Sequence, residues 1–118
     1  MWSKSNIRSK TEPVGAAELV VDGIDEKFDI FQVELIDVDG ALDTGSIAFF
    51  SKSSTGSRQP VKDKDGNPYS MTVAPAPNGT RSFQISNGSA AQIIAIPTAL
   101  GGGGATQFKI KVLPGRKG

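Results

Sequence analysis

The sequence predicts an all-β domain: an antiparallel β-sandwich, jelly-roll or immunoglobulin-like, of seven to eight short strands with flexible N- and C-terminal arms. Three observations carry this expectation. From Glu18 onward the apolar residues recur with a period of two. Turn-forming residues interrupt that pattern at roughly eight- to twelve-residue spacing. No segment shows a helical period of apolar residues.

Residues 1–16 read as an arm, rich in Ser, Lys and Arg, with Trp2 and Ile7 as isolated apolar residues before Pro13 and Gly15. The sandwich is expected over residues 17–113. Phe31, Val33 and Leu35 share one face of the first clear strand, with Gln32 and Glu34 on the other. Asp37-Val38-Asp39-Gly40 then supplies a turn, because Gly tolerates positive φ. Ile47 and Phe49 mark the next strand, and Ser51 to Arg58 a polar loop. A second turn, Asp63-Lys64-Asp65-Gly66-Asn67-Pro68, precedes Tyr69, Met71 and Val73, which alternate with Ser70 and Thr72.

Pro75-Ala76-Pro77-Asn78-Gly79 interrupts. Phe83 and Ile85 alternate with Ser82, Gln84 and Ser86, and Asn87-Gly88 is a hairpin candidate. Ile94 and Ile96 continue until Pro97, which is expected to stop the strand. Gly101 to Gly104 read as a mobile loop. Phe108, Ile110 and Val112 alternate with Gln107, Lys109 and Lys111, and Pro114 opens a tail over residues 114–118. The alternating apolar sets form the expected core.

Length and composition bound the function. With 118 residues and 12.3 kDa, the chain holds one core. Charge nearly cancels at +1, which argues against a nucleic-acid binder driven by overall basicity. The absence of Cys and His removes disulfide scaffolds, Cys/His zinc sites, thiol catalysis and His acid–base chemistry. The longest apolar runs, such as Ile47-Ala48-Phe49-Phe50 and Ile93-Ile94-Ala95-Ile96, hold four residues, far short of the ~20 of a membrane helix. Lys4, Arg8 and Lys10 are followed by Glu12 and Pro13 rather than an apolar stretch, so no signal peptide is expected and synthesis in the cytoplasm is.

Three strings suggest chemistry. Asp43-Thr44-Gly45-Ser46 matches the Asp-Thr-Gly-Ser of aspartic proteases, where two Asp carboxylates share a proton. Those enzymes place an apolar strand before the Asp, and here Asp37-Val38-Asp39-Gly40 precedes it. A β-turn explains the string better. Asp37/Asp39/Asp43 and Asp63/Asp65/Asn67 resemble pieces of calcium loops, but the twelfth position holds Ala48 or Ala74 rather than a bidentate Glu. Asn78-Gly79-Thr80 and Asn87-Gly88-Ser89 are formal glycosylation sequons that read better as turns. No cofactor is expected.

Charge is unevenly laid out. Residues 18–43 carry nine acidic groups against Lys27 alone, and the remainder carries a net +9. Lys4, Arg8, Lys10, Lys109, Lys111, Arg116 and Lys117 lie close to the two ends. Such asymmetry favours oriented docking, between copies or onto a partner. Trp2 on the basic arm is a candidate anchor, since Trp is enriched at binding hot spots. Trp2, Ile7, Arg8, Arg116 and Lys117 are the candidate contact residues. No basic-aromatic platform for nucleic acid is visible.

The stretch from Phe28 to Leu113 resembles small β-sandwich virion proteins of tailed bacteriophages. The matching pieces are Ile47-Ala48-Phe49-Phe50-Ser51 with Ser54-Thr55-Gly56-Ser57, then Val61-Lys62-Asp63-Lys64-Asp65-Gly66, Gly101–Gly104 and Gln107-Phe108-Lys109-Ile110-Lys111-Val112. The loop after Ser51 lacks the aromatic such patterns often carry. The resemblance implies a non-enzymatic role: a capsid decoration protein on the outer surface of a phage head, or the base of a head fibre or a neck component. It carries no catalytic residues. It implies the major capsid protein as partner, a homotrimer on the particle, and no specific nucleic acid or membrane. A carbohydrate- or receptor-binding sandwich is the other reading, and it would need exposed Trp or Tyr platforms. The chain offers Trp2 in the arm and Tyr69 facing inward.

Overall fold

The computed structural model describes residues 1–63, 65–74, 81–85 and 90–117. Among them are nine strands and no α-helix. The strands are β1 (Arg8–Pro13), β2 (Leu19–Val21), β3 (Ile30–Asp37), β4 (Thr44–Lys52), β5 (Gln59–Pro60), β6 (Ser70–Thr72), β7 (Ser82–Ile85), β8 (Gln92–Gly101) and β9 (Gln107–Gly115). One sheet has the order β1-β9-β3-β7; the other runs β2-β8-β4, with β5 and β6 both paired to β4. All pairings are antiparallel.

The period of two builds the core. Phe31, Val33 and Leu35 of β3 and Phe108, Ile110 and Val112 of β9 face inward from the first sheet. Ile47 and Phe49 of β4, Met71 of β6, and Leu19 and Val21 of β2 face them from the second. Each fully buried side chain of this kind contributes roughly 1.5–3 kcal/mol. In the apolar run Ile93-Ile94-Ala95-Ile96 the structure reverses the expectation that Ile94 and Ile96 face the core. Ile93 and Ala95 pair with Val21 and Leu19 and join the core, while Ile94 lies between Val20 and Phe50 on the outer face.

Several sequence expectations are corrected. The arm of residues 1–16 contains β1, an edge strand along β9 in register Arg8↔Val112 to Pro13↔Gln107. Its residues are nearly all exposed, so it shows no apolar alternation. The tail expected from residue 114 begins inside β9, which pairs Pro114 with Phe31 and Gly115 with Ile30. Pro97 lies within β8 opposite Ile47 rather than ending it.

Both prolines are tolerated because their missing N–H points away from a partner. Val61 N–H donates to Phe49 O, so odd residues of β4 bond toward β5 and even ones toward β8. Pro97 therefore turns its nitrogen toward β2, which ends at the Leu19↔Ala95 pair. Pro114 turns toward the first residues of the chain, where its carbonyl accepts from Ser3 N–H at 2.8 Å. Pro75 to Gly79 and both sequons fall, wholly or in part, outside the described residues.

Candidate functional site

The β1–β9 pairing brings the two ends of the sequence together. Beyond β1 the chain turns through a short 3-10 segment, Lys4–Asn6, held by Asn6 N–H to Ser3 O at 3.1 Å and Asn6 Nδ2 to Ser3 Oγ at 2.7 Å. It then rejoins β9. Trp2 forms an antiparallel bridge with Gly115, Ser3 N–H donates to Pro114 O, and Arg116 N–H donates to Met1 O at 2.9 Å. A clamp of residues 1–3 thus closes on residues 114–116, separated from β1 by an excursion.

Gly115 is required by close approach. A Cβ there would meet Trp2 Cε3 and Met1 O at 2.8 Å and Ile30 Cγ1 at 3.1 Å. Beside the clamp lies a shallow cavity of about 270 Å³ lined by Met1, Trp2, Ser3, Lys27, Phe28 and Arg116. Lys27 Nζ stands 5.2 Å from the Phe28 ring centroid and 3.8 Å from Asp25 Oδ2. Asp29 fastens the exit: its N–H donates to Gly115 O at 3.1 Å and its Oδ1 accepts from Lys117 N–H at 2.9 Å.

Of the five candidate contact residues, Trp2 and Arg116 line this cavity and Lys117 follows directly. Arg8 and Ile7 sit one step along, where Arg8 Nε donates to Gly23 O at 3.1 Å. Sequence reasoning missed Lys27 and Phe28. Lys27 carried one signal, as the single cation in the acidic run. Arg8, Lys10, Lys109 and Lys111 lie on β1 and β9, so basic residues from both ends form one edge. On β1 and β9 Glu12 is the carboxylate, while Lys111 Nζ reaches Glu34 Oε1 on β3 at 3.7 Å.

The acidic strings hold loops together. Asp37 Oδ1 accepts from Leu42 N–H at 3.2 Å and from Arg81 Nη1 at 3.3 Å. Asp39 accepts from Thr106 N–H at 3.0 Å, Gln107 N–H at 3.2 Å and the Thr106 hydroxyl. The Thr106 hydroxyl, then its backbone N–H, hold the Asp39 carboxyl below its ordinary pKa. Asp63 Oδ1 accepts from Asp65 N–H at 2.9 Å and Asn67 N–H at 3.0 Å, a turn rather than a cation loop. Among the described residues no group of three or more acidic side chains is arranged to hold a metal.

The Asp43-Thr44-Gly45-Ser46 string is not the expected β-turn: Thr44, Gly45 and Ser46 belong to β4, and Gly45 lies opposite a bulge of two β8 residues, Ala99 and Leu100. The β4–β8 register shifts between Thr44 and Ser46, and Gly45 has φ of +94°. Tyr69 is half-buried, stacked on Phe83 at 4.2 Å, and burial raises its pKa. Its ring is part of an aromatic cluster with Phe49, which stands 4.8 Å from Phe83. Across the second sheet, Arg58 Nη1 donates to Glu18 Oε2 at 2.7 Å, and this bond lowers the Glu18 pKa. Among the described residues no helix is long and apolar enough to cross a membrane.

No family model matches the chain, and no curated protein sequence matches it. Among solved structures, the SPBc2 prophage-derived protein YomS is similar over 92% of this chain and 93% of its own, with a TM-score of 0.47 and 12% identity.

Proposed function

We propose that this protein is a non-enzymatic structural component of a virus particle, a decoration protein on the outer surface of a phage head. It would bind the major capsid protein as a homotrimer and reinforce joints between coat subunits. A head-fibre base or neck component is the related alternative. The observation that carries the reading is the convergence of Trp2, Arg116, Lys117 and the β1–β9 cations along one side of the sandwich. A sandwich with a single charged docking edge suits oriented attachment to a larger surface. The spending of Asp37, Asp39 and Asp63 on turn hydrogen bonds supports the same reading over the calcium one, and the place of Thr44-Gly45-Ser46 within β4 supports it over the protease one. The half-buried Tyr69 offers no open stacking platform for a sugar.

The test is quantitative mass spectrometry of purified particles from the source. Hundreds of copies per particle are expected. A handful to a few dozen would shift the assignment to a fibre base or neck component. Complete absence would overturn the virion reading.

A further inference from the structure

β1 is an edge strand with one open side. Val14 N–H donates to Thr106 O at 3.0 Å, in the same register as the β1–β9 pairs. By antiparallel alternation, Arg8, Lys10 and Glu12 exchange their bonds with β9. Ser9 and Thr11 therefore turn both N–H and C=O to the open side, and Pro13 turns only a carbonyl. Every residue of β1 except Glu12 is exposed. The open backbone groups of Ser9, Thr11 and Pro13 stand ready for another strand.

The edge is also selective. Cross-strand partners share a face, so Arg8 and Lys10 project on the side of Val112 and Ile110. Lys109 and Lys111 project on the opposite face of β9, beside Thr11 and Ser9. A strand laid against β1 thus meets cations on both faces. A second copy of β1 is the weaker occupant, because it brings one carboxylate, Glu12, against the two cations Arg8 and Lys10 and leaves the edge net positive. An uncharged strand gains only backbone bonds. An acidic one gains those bonds plus charge-assisted contacts.

We propose that β1 is a strand-docking edge for an extended, acidic segment of a partner protein, which adds to the β1-β9-β3-β7 sheet as a fifth strand. Backbone bonds to Ser9 and Thr11 give the register. The cations Arg8, Lys10, Lys109 and Lys111 choose the sequence. The inference holds for the isolated protein whatever particle it belongs to, so its failure and that of the virion reading are separable.

The experiment titrates the isotope-labelled full chain with a short synthetic peptide of alternating Glu and Val. A peptide of the same length with Lys in place of Glu is the control. The Glu peptide is expected to shift the Ser9 and Thr11 amide signals and slow their hydrogen exchange, more weakly as salt rises. The Lys peptide is expected to leave them unchanged. Thr11→Pro removes one open-side donor at a position equivalent to Pro13, so β9 pairing survives and affinity falls at least about tenfold. Lys10→Glu, which keeps every backbone bond, weakens the preference for the acidic peptide and checks the charge argument on its own. Silence of Ser9 and Thr11 at ~1 mM Glu peptide, equal binding of both peptides, or self-association through β1 would overturn the proposal.

Discussion

Gly115→Ala should open the terminal clamp and leave the sandwich standing. The new methyl would sit 2.8 Å from Trp2 Cε3 and from Met1 O, and 3.1 Å from Ile30 Cγ1. Comfortable carbon contacts lie near ~3.5–4.0 Å, so something must move. Ile30 is held by β3, whereas the Trp2 ring and Met1 belong to a segment with no fully buried residue. The first three residues therefore leave. The bond from the exposed Met1 amine to Arg116 O goes with them, as do two backbone bonds, Ser3 N–H to Pro114 O and Arg116 N–H to Met1 O.

At about 1 kcal/mol each the two backbone bonds sum to roughly 2 kcal/mol. Restricting the unfolded chain returns about 0.4–1 kcal/mol, because Gly115 has no positive φ to forbid Ala. The net loss is about 1–2 kcal/mol, or roughly 4–8 °C in Tm for a domain of this size. The chain has one tryptophan, Trp2, so its emission reports on the clamp alone. A red shift and freer quenching by iodide are expected, with the far-ultraviolet spectrum unchanged. Gly15→Ala, where a Cβ meets nothing within 4 Å, is the matched control. If Gly115→Ala leaves both emission and Tm as they were, the clamp does not close on Gly115 and the geometry argued above is wrong.

Three further outcomes follow from the same structure. Phe49→Ala removes a ring that is 1% exposed and packed on Phe83 and Tyr69, and should cost about 3–5 kcal/mol in urea unfolding. Gly45→Val forces a β-branched residue to φ of +94° with its Cβ 2.7 Å from Leu100 Cα, and should lower stability by at least ~2 kcal/mol in the same assay. Asp39 has a folded pKa below its ordinary 3.8, so it adds stability above that value and loses it as pH falls through the lowered one. Asp39→Asn should therefore flatten the acid limb of a Tm-against-pH curve, and an unchanged limb would deny Asp39 that role.

What the sequence made legible depended on burial of one face. Phe31-Gln32-Val33-Glu34-Leu35 and Phe108-Lys109-Ile110-Lys111-Val112 advertise their strands because one face is apolar and the other wet. β1 has polar residues on both faces, so Ser9-Lys10-Thr11-Glu12 looks like coil until a neighbour is supplied. β5, at two residues, is too short for any period. The prolines misled because what matters is which side their nitrogen faces, and that is a property of the pairing. Asp43-Thr44-Gly45-Ser46 misled for a related reason: its Gly reads as a turn, but it serves the close approach of Ala99 and Leu100 on the neighbouring strand. The terminal cations could be counted from the sequence. Their union on one edge could not, because it rests on the Arg8↔Val112 register between residues at opposite ends.

The same register decides how the charge asymmetry can act. The acidic run does not fold into one surface opposite the basic one. Asp22, Asp25, Glu26 and Asp29 lie in the β2–β3 connection, whereas Asp37 ends β3 and Asp39 and Asp43 follow it before β4, at the other end of β3. Asp37 and Asp39 are already engaged by Arg81, Leu42, Thr106 and Gln107. Glu18 is engaged by Arg58. The negative charge is thus divided and partly satisfied at home, while Arg8, Lys10, Lys109 and Lys111 gather along two neighbouring strands, with Lys111 reaching Glu34. A second copy would offer this edge no single acidic face of matching length. A partner with an extended acidic segment would, and the open Ser9 and Thr11 backbone gives that segment a register to hold.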